Sequence, residues 1–172
     1  MASNSEKINT WFQRFAHRMN IAVPGVIAET ATEYFKESFT RKNWDNRPWQ
    51  ETKKTVNRGS LMVRSGQLLN SIRPALISAP KVTISAGSSK VPYARVHNEG
   101  AMISRAARSE TFKRNRIGKG KNTGRFKKGT TASQGFTFKA FTYKMPQRQY
   151  MGHSAILNKR IIQRIKTIFN NK

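Results

Sequence analysis

Three stretches carry residue types that perform chemistry in other proteins. His97-Asn-Glu99 has the His-x-Glu spacing of zinc deaminases, in which the His holds the metal and the Glu moves protons. The remaining ligands there are normally Cys, and this chain has none. A His-Asn-His nuclease needs a second His at hand, and only His17, within a helical pattern, and His153 remain. Gly118-Lys-Gly-Lys-Asn-Thr-Gly124 has the composition of a phosphate loop but lacks the spacing, the strand before it and the helix after it. A flexible basic loop is the better reading. Glu99 and Glu110 are the only late acids, so no carboxylate pair for glycoside chemistry is legible, and no Ser-His-Asp set is either. The expectation is a protein that is not an enzyme, with no cofactor and no metal.

What the chain can do is bind. It has 172 residues and a net charge of +25. Such a charge opposes compaction and calls for a polyanion or an acidic protein surface. All eight acids lie in the first 110 residues, and the last 62 hold sixteen Lys and Arg and no acid. Ten of the cations crowd one segment: Arg105, Arg108, Lys113, Arg114, Arg116, Lys119, Lys121, Arg125, Lys127 and Lys128. Set among glycines, they suit phosphate contacts without sequence reading. Phe126 within the run could stack on a base. No helix-turn-helix, zinc finger or RNP motif is visible.

The absence of Cys removes disulfides and thiolate catalysis and fits a reducing compartment. The N-terminus has no apolar segment of a secretory signal, and the apolar runs are too short for a bilayer. A soluble chain with no membrane partner is expected.

The elements that must position these residues follow from periodicity. Ser3 and Glu6 form a capping-box signature. Ile8, Trp11, Phe12, Phe15 and Met19 follow at helical spacing, which predicts a helix over about 4–20 with this stripe in the core. Pro24-Gly25 is read as a break. A second helix is expected over about 24–40, with Tyr34, Phe35 and Phe39 on its core stripe and Glu29, Glu33 and Glu37 on another face. Trp44-Asp-Asn-Arg-Pro-Trp49 reads as a loop folded onto the core edge, with an aromatic ligand clamp as the lesser reading. Residues 51–60 read as irregular, and a short helix follows Gly66. The runs 75–78 and 82–86, separated by Pro80, read as a hairpin-like pair of strands. The strongest strand is expected at about 135–145, ended by Pro146. Ser154 is placed to cap a last helix carrying Leu157, Ile161, Ile165, Ile168 and Phe169.

Residues 104–134 cannot bury enough surface to fold alone, so a mobile loop or a partner-ordered arm is expected there. The fold class is α+β: a small antiparallel sheet packed with N-terminal and C-terminal helices, plus a long basic loop or arm. One domain over 1–172 is expected, with the basic extended insertion at about 104–134.

Several stretches, taken in order, resemble the tail-completion or virion-morphogenesis proteins of tailed bacteriophages and Mu-like prophages. An amphipathic helix pair leads to the Trp44–Trp49 loop. Arg64-Ser-Gly-Gln-Leu-Leu-Asn-Ser-Ile72 is similar to that family's Thr/Ser-Gly-x-Leu-x-x-Ser-Ile segment. Val91-Pro-Tyr-Ala-Arg-Val-His-Asn-Glu-Gly100 is similar to its Tyr-Ala-x-x-His-x-x-Gly. Met145-Pro-Gln-Arg-Gln-Tyr-Met-Gly152 is similar to its Pro-x-Arg-x-Phe/Leu-Gly, followed by a C-terminal helix. The long basic insertion after Gly100 departs from the pattern.

The resemblance implies a structural virion protein of the phage neck, assembled in the host cytoplasm, that completes the tail and joins it to the head connector. It implies a homo-oligomeric ring, six-fold or twelve-fold, meeting connector, tail terminator or tail tube proteins, with a contact to genomic DNA left open. It also singles out Tyr93, His97, Gly100, Pro146, Arg148 and Tyr150 as structural or interface residues. Tyr93 and His97 would share a face if that segment is helical, and Arg148 and Tyr150 would sit at a strand exit, where a rim contact is plausible. The rival reading is a non-specific nucleic-acid-binding protein acting through the basic 104–128 arm.

Overall fold

The computed structural model describes residues 3–52, 58–113, 117–123 and 131–170. The chain divides into two compact units, Met1–Ala101 with Pro146–Lys172, and Met102–Met145.

The first unit opens with α1, Asn4–His17. The capping box forms as its sequence dictates: the Ser3 hydroxyl accepts the Glu6 N–H at 3.3 Å, and the Glu6 carboxylate accepts the Ser3 N–H at 2.7 Å. The chain does not break at Pro24-Gly25. It passes through a π-helical turn, Arg18–Ala22, directly into α2, Val23–Arg41. The Val23 N–H donates to the Arg18 carbonyl, five residues back. Pro24 then falls in the first turn of α2, where its missing N–H and fixed φ are tolerated. A breaker has become a helix start inside a continuous rod.

The aromatic stripe of α1 is not core. No residue of α1 is buried, and Trp11 and Phe12 are 58% and 59% exposed. The core is built instead on α2, whose Tyr34, Phe35 and Phe39 meet Trp44, Trp49, Leu68, Ile72, Val91, Tyr150 and Leu157. The Trp44–Trp49 loop is a minimal hairpin, β1 (Asn43–Trp44) with β2 (Arg47–Pro48). Asp45 and Asn46 both take positive φ in its turn, a conformation these two residue types accept most readily after Gly. Both Trp rings are buried, Trp44 against Tyr34 and Phe35, Trp49 edge-on to Phe39. The loop therefore plugs the core and leaves no aromatic clamp.

α3, Gln67–Asn70, follows Gly66 and buries Leu68. The hairpin pair is β3 (Arg73–Ser78) with β4 (Lys81–Ser85), antiparallel. The Val91–Gly100 stretch is mainly α4, Ala94–Glu99. α5, Ala155–Asn170, is capped by Ser154, whose hydroxyl accepts the Leu157 N–H at 3.1 Å. Arg160 meets Glu37 at 2.9 Å and Arg164 meets Glu33 at 2.6 Å, so α5 runs antiparallel to α2. Part of the late positive charge is thus answered by the α2 acids.

The second unit is built from paired strands. β5 (Ala101–Arg105) pairs with β8 (Phe141–Met145), and β6 (Arg108–Lys113) pairs antiparallel with β7 (Thr131–Phe138). The strand expected over 135–145 begins earlier and is interrupted at Lys139-Ala140, opposite Ala106-Ala107. The segment expected as loop or arm contains ordered strands at both ends, because backbone pairing across a ribbon needs no apolar core to satisfy its polar groups. The class is α+β, and among the described residues the strands fall into four two-stranded sheets.

Candidate assembly interface

Three of the stretches singled out by sequence converge in the first unit. α4 supplies acceptors to the segment after β8. Arg148 N–H donates to the His97 carbonyl at 2.8 Å, and the Asn98 side-chain oxygen accepts the N–H groups of Tyr150 and Met151, each at 3.0 Å. The Tyr150 hydroxyl donates to the Ala94 carbonyl at 3.1 Å. The Trp loop joins them: Trp49 Nε1 donates to the Gln149 carbonyl at 2.6 Å, and Arg148 Nε to the Gln50 carbonyl at 2.9 Å. Gly100 closes α4 with φ +74. Gly152 has φ +148, and a Cβ there would lie 2.6 Å from the Gln149 amide nitrogen.

Tyr93, His97, Gly100, Arg148 and Tyr150 belong to these segments, and Pro146 follows β8 at their edge; His97, Gly100 and Pro146 are half-buried. Tyr150 is 1% exposed and Arg148 5%. Arg148 and Tyr150, for which the strand exit suggested a rim position, are turned inward and brace the subunit. Among the described residues Arg148 has no carboxylate partner, and burial makes its guanidinium easier to deprotonate than usual. His97 Nδ1 is buried without a hydrogen-bond partner. Burial, and after it the Arg148 charge, lowers the His97 pKa. Burial pushes the Tyr150 phenol up to about 12. Tyr93 stands at the N-terminal boundary of α4 and lies edge-on to His97, with ring centroids 5.7 Å apart, and its ring is exposed.

A second polar cluster ties α2, the Trp loop and α5. The hydroxyls of Tyr34 and Ser154 both donate to Asp45 Oδ1, Ser154 at 2.6 Å. Burial first, and the Asp45 hydrogen bond next, raise the Tyr34 pKa. The guanidinium groups of Arg41 and Arg160 each lie 5.2 Å from the centroid of the Tyr34 ring. Every member holds another in place, so the arrangement is structural.

The basic candidates belong to the second unit. Arg105 ends β5, Arg108 opens β6 and Lys113 ends it. Lys119 and Lys121 are exposed in and beside a turn at 121–123. Arg114, Arg116, Arg125, Lys127 and Lys128, with Phe126, lie outside the described residues.

The interface candidate that sequence reading missed is α1. Ile8, Trp11, Phe12, Phe15 and Met19 are all exposed on one face. Trp11 and Phe15 stack at 5.4 Å, and Phe15 reaches Phe169 of α5 at 6.1 Å. Core and interface stripes have the same periodicity, so the sequence pattern carried no sign of this exposure. A contiguous stripe of this kind differs from scattered single apolar exposures and is a candidate interaction surface. Among the described residues no helix is long and apolar enough to cross a membrane.

The sequence model of the phage virion morphogenesis family matches residues 4–170. No curated protein and no solved structure matches the chain.

Proposed function

The chain belongs to the phage virion morphogenesis family, and from that premise we propose that it is a structural subunit of the phage neck, completing the tail and joining it to the head connector as an oligomeric ring. Its role then lies in interface area and charge complementarity, and no chemical step is part of it.

One observation carries the oligomeric part of the reading: the exposed apolar face of α1. α1 is about 21 Å long and runs into α2 through unbroken helix; Phe15 reaches α5 of the same subunit, while Trp11 and Phe12 stay uncovered. A neighbouring copy is the natural cover, since the same unit also exposes Leu76 and Ile77 on β3 and Ile162 on α5. Helix of one copy on surface of the next is a heterologous contact, the kind that closes into rings. The six-fold or twelve-fold order, the location at the virion neck, and the contacts to connector, terminator or tail tube proteins belong to the same proposal. The basic unit would face their acidic surfaces or a DNA path.

Electron microscopy of a lysate from the source phage with this gene disrupted tests the neck role. Filled heads beside separate tails of finished length support it, and normal joined particles overturn it. Light scattering on the purified protein tests the α1 contact. Trp11→Ser with Phe12→Ser should shift oligomers to monomers while helical ellipticity stays unchanged. An oligomer that survives this pair of changes excludes α1 as its interface.

A further inference from the structure

The second unit has an open cleft of about 630 Å³ at the interruption of its ribbon, lined by Ile103, Ser104, Arg105, Arg108, Phe138 and Phe141 among others. Side chains alternate faces along a strand. Ser104 and Thr142 meet through their hydroxyls at 3.0 Å on one face. The alternation therefore puts Arg105 on the other face with Phe141 and Tyr143. These two rings lie nearly parallel, 20° apart with centroids at 5.9 Å. They are 52% and 39% exposed, and Phe138 beside them is 43% exposed. The Arg108 guanidinium sits 5.0 Å from the centroid of the Phe138 ring.

Packing does not account for these rings. Among the described residues the unit is made of two-stranded pairs, and Phe138, Phe141 and Tyr143 keep large exposed areas in it. Its charge says what should cover them. Residues 102–145 hold twelve Lys and Arg against one acid, Glu110. An acidic protein surface would satisfy that charge and can pack on aromatic rings, but two near-parallel rings set beside Arg105 and Arg108 match stacked bases with their phosphates more closely. A nucleic-acid strand with unpaired bases satisfies both, since bases stack on aromatic side chains while phosphates take the cations. Duplex DNA would use the cations alone, because its bases are already stacked.

We infer that the cleft at the ribbon interruption is a binding site for unpaired nucleic acid, with bases stacking on Phe141 and Tyr143 and phosphates held by Arg105 and Arg108. The site stands whether or not the subunit forms a ring, since every residue in it comes from one chain.

Fluorescence anisotropy on the full chain tests this, using a labelled oligothymidylate and a duplex of equal length across a salt series. Wild-type protein should favour the single strand. Phe141→Ala with Tyr143→Ala should weaken single-strand binding by about tenfold or more while leaving duplex binding and the salt slope unchanged. Phe141→Tyr with Tyr143→Phe keeps both rings and should bind as wild type, which separates stacking from any loss of the fold. Arg105→Gln with Arg108→Gln should lower the single-strand salt slope by about 1.4. Equal affinity for both probes, with the alanine pair binding like wild type, would reduce the site to charge alone and overturn the inference. Displacement of the oligonucleotide by polyglutamate of matched length at equal concentration would overturn it in favour of an acidic protein partner.

Discussion

The hydroxyl of Tyr150 donates to the carbonyl of Ala94, 56 residues earlier in the chain, across 3.1 Å of buried space. This bond joins the two stretches that the sequence singled out, and the Asn98 and Arg148 contacts lie beside it. Tyr150→Phe removes one buried hydrogen bond and should lower stability by about 1 kcal/mol. It should also remove an alkaline effect. The Tyr150 pKa in the folded chain is about 12, against about 10 for an unfolded tyrosine. The stabilisation is therefore complete below pH 10 and is lost as pH rises towards 12. Denaturant midpoints measured across that window should fall more steeply for wild type than for the phenylalanine variant.

His97 gives the opposite limb. Its folded pKa is depressed, by burial and then by Arg148, below the unfolded value of about 6.5. The unfolded chain takes up a proton first as pH falls. Stability is full above about pH 6.5 and is lost as pH drops from there through the folded pKa. His97→Gln should flatten this dependence while other groups keep theirs. The check is the difference in urea midpoints between wild type and variant from neutral pH downwards. A constant difference across the range would remove His97 from the account.

Ser154 serves two elements at once, capping α5 and donating to Asp45. Ser154→Ala should cost about 1–2 kcal/mol, at the upper end of cap losses, because Asp45 also loses a donor. Ser154→Thr keeps both functions in chemistry and should recover part of the loss. Thermal melts of the three proteins decide it.

The two α2–α5 ion pairs should contribute far less. Arg160 and Glu37 are more than a third exposed, as are Arg164 and Glu33. Glu33→Gln should change stability by less than about 1 kcal/mol and the effect should shrink with added salt. Trp49→Ala, by contrast, should cost about 3–5 kcal/mol, since it empties a core position and leaves the Gln149 carbonyl without its donor. A salt titration of both variants separates a screened surface term from an unscreened core term.

Local chemistry was legible wherever the signal was itself local. The Ser3–Glu6 capping box, the Ser154 cap, the β3–β4 hairpin and the amphipathic face of α2 follow from residue type and spacing alone, because each is formed within a few residues. So did the charge imbalance that points to an anionic partner, and the ordered stretches that resemble the phage family. The tertiary structure decided three matters that spacing cannot reach. It carried the helix through Pro24 by a π-turn. It left the Trp11–Phe12–Phe15 face outside, although that face has the period of a core stripe. It turned Arg148 and Tyr150 inward, where a strand exit had suggested a rim. In each case the deciding quantity is which surfaces the rest of the chain covers. Periodicity identifies a face that must be buried, and only the packing of distant elements determines whether one subunit buries it or leaves it for a partner.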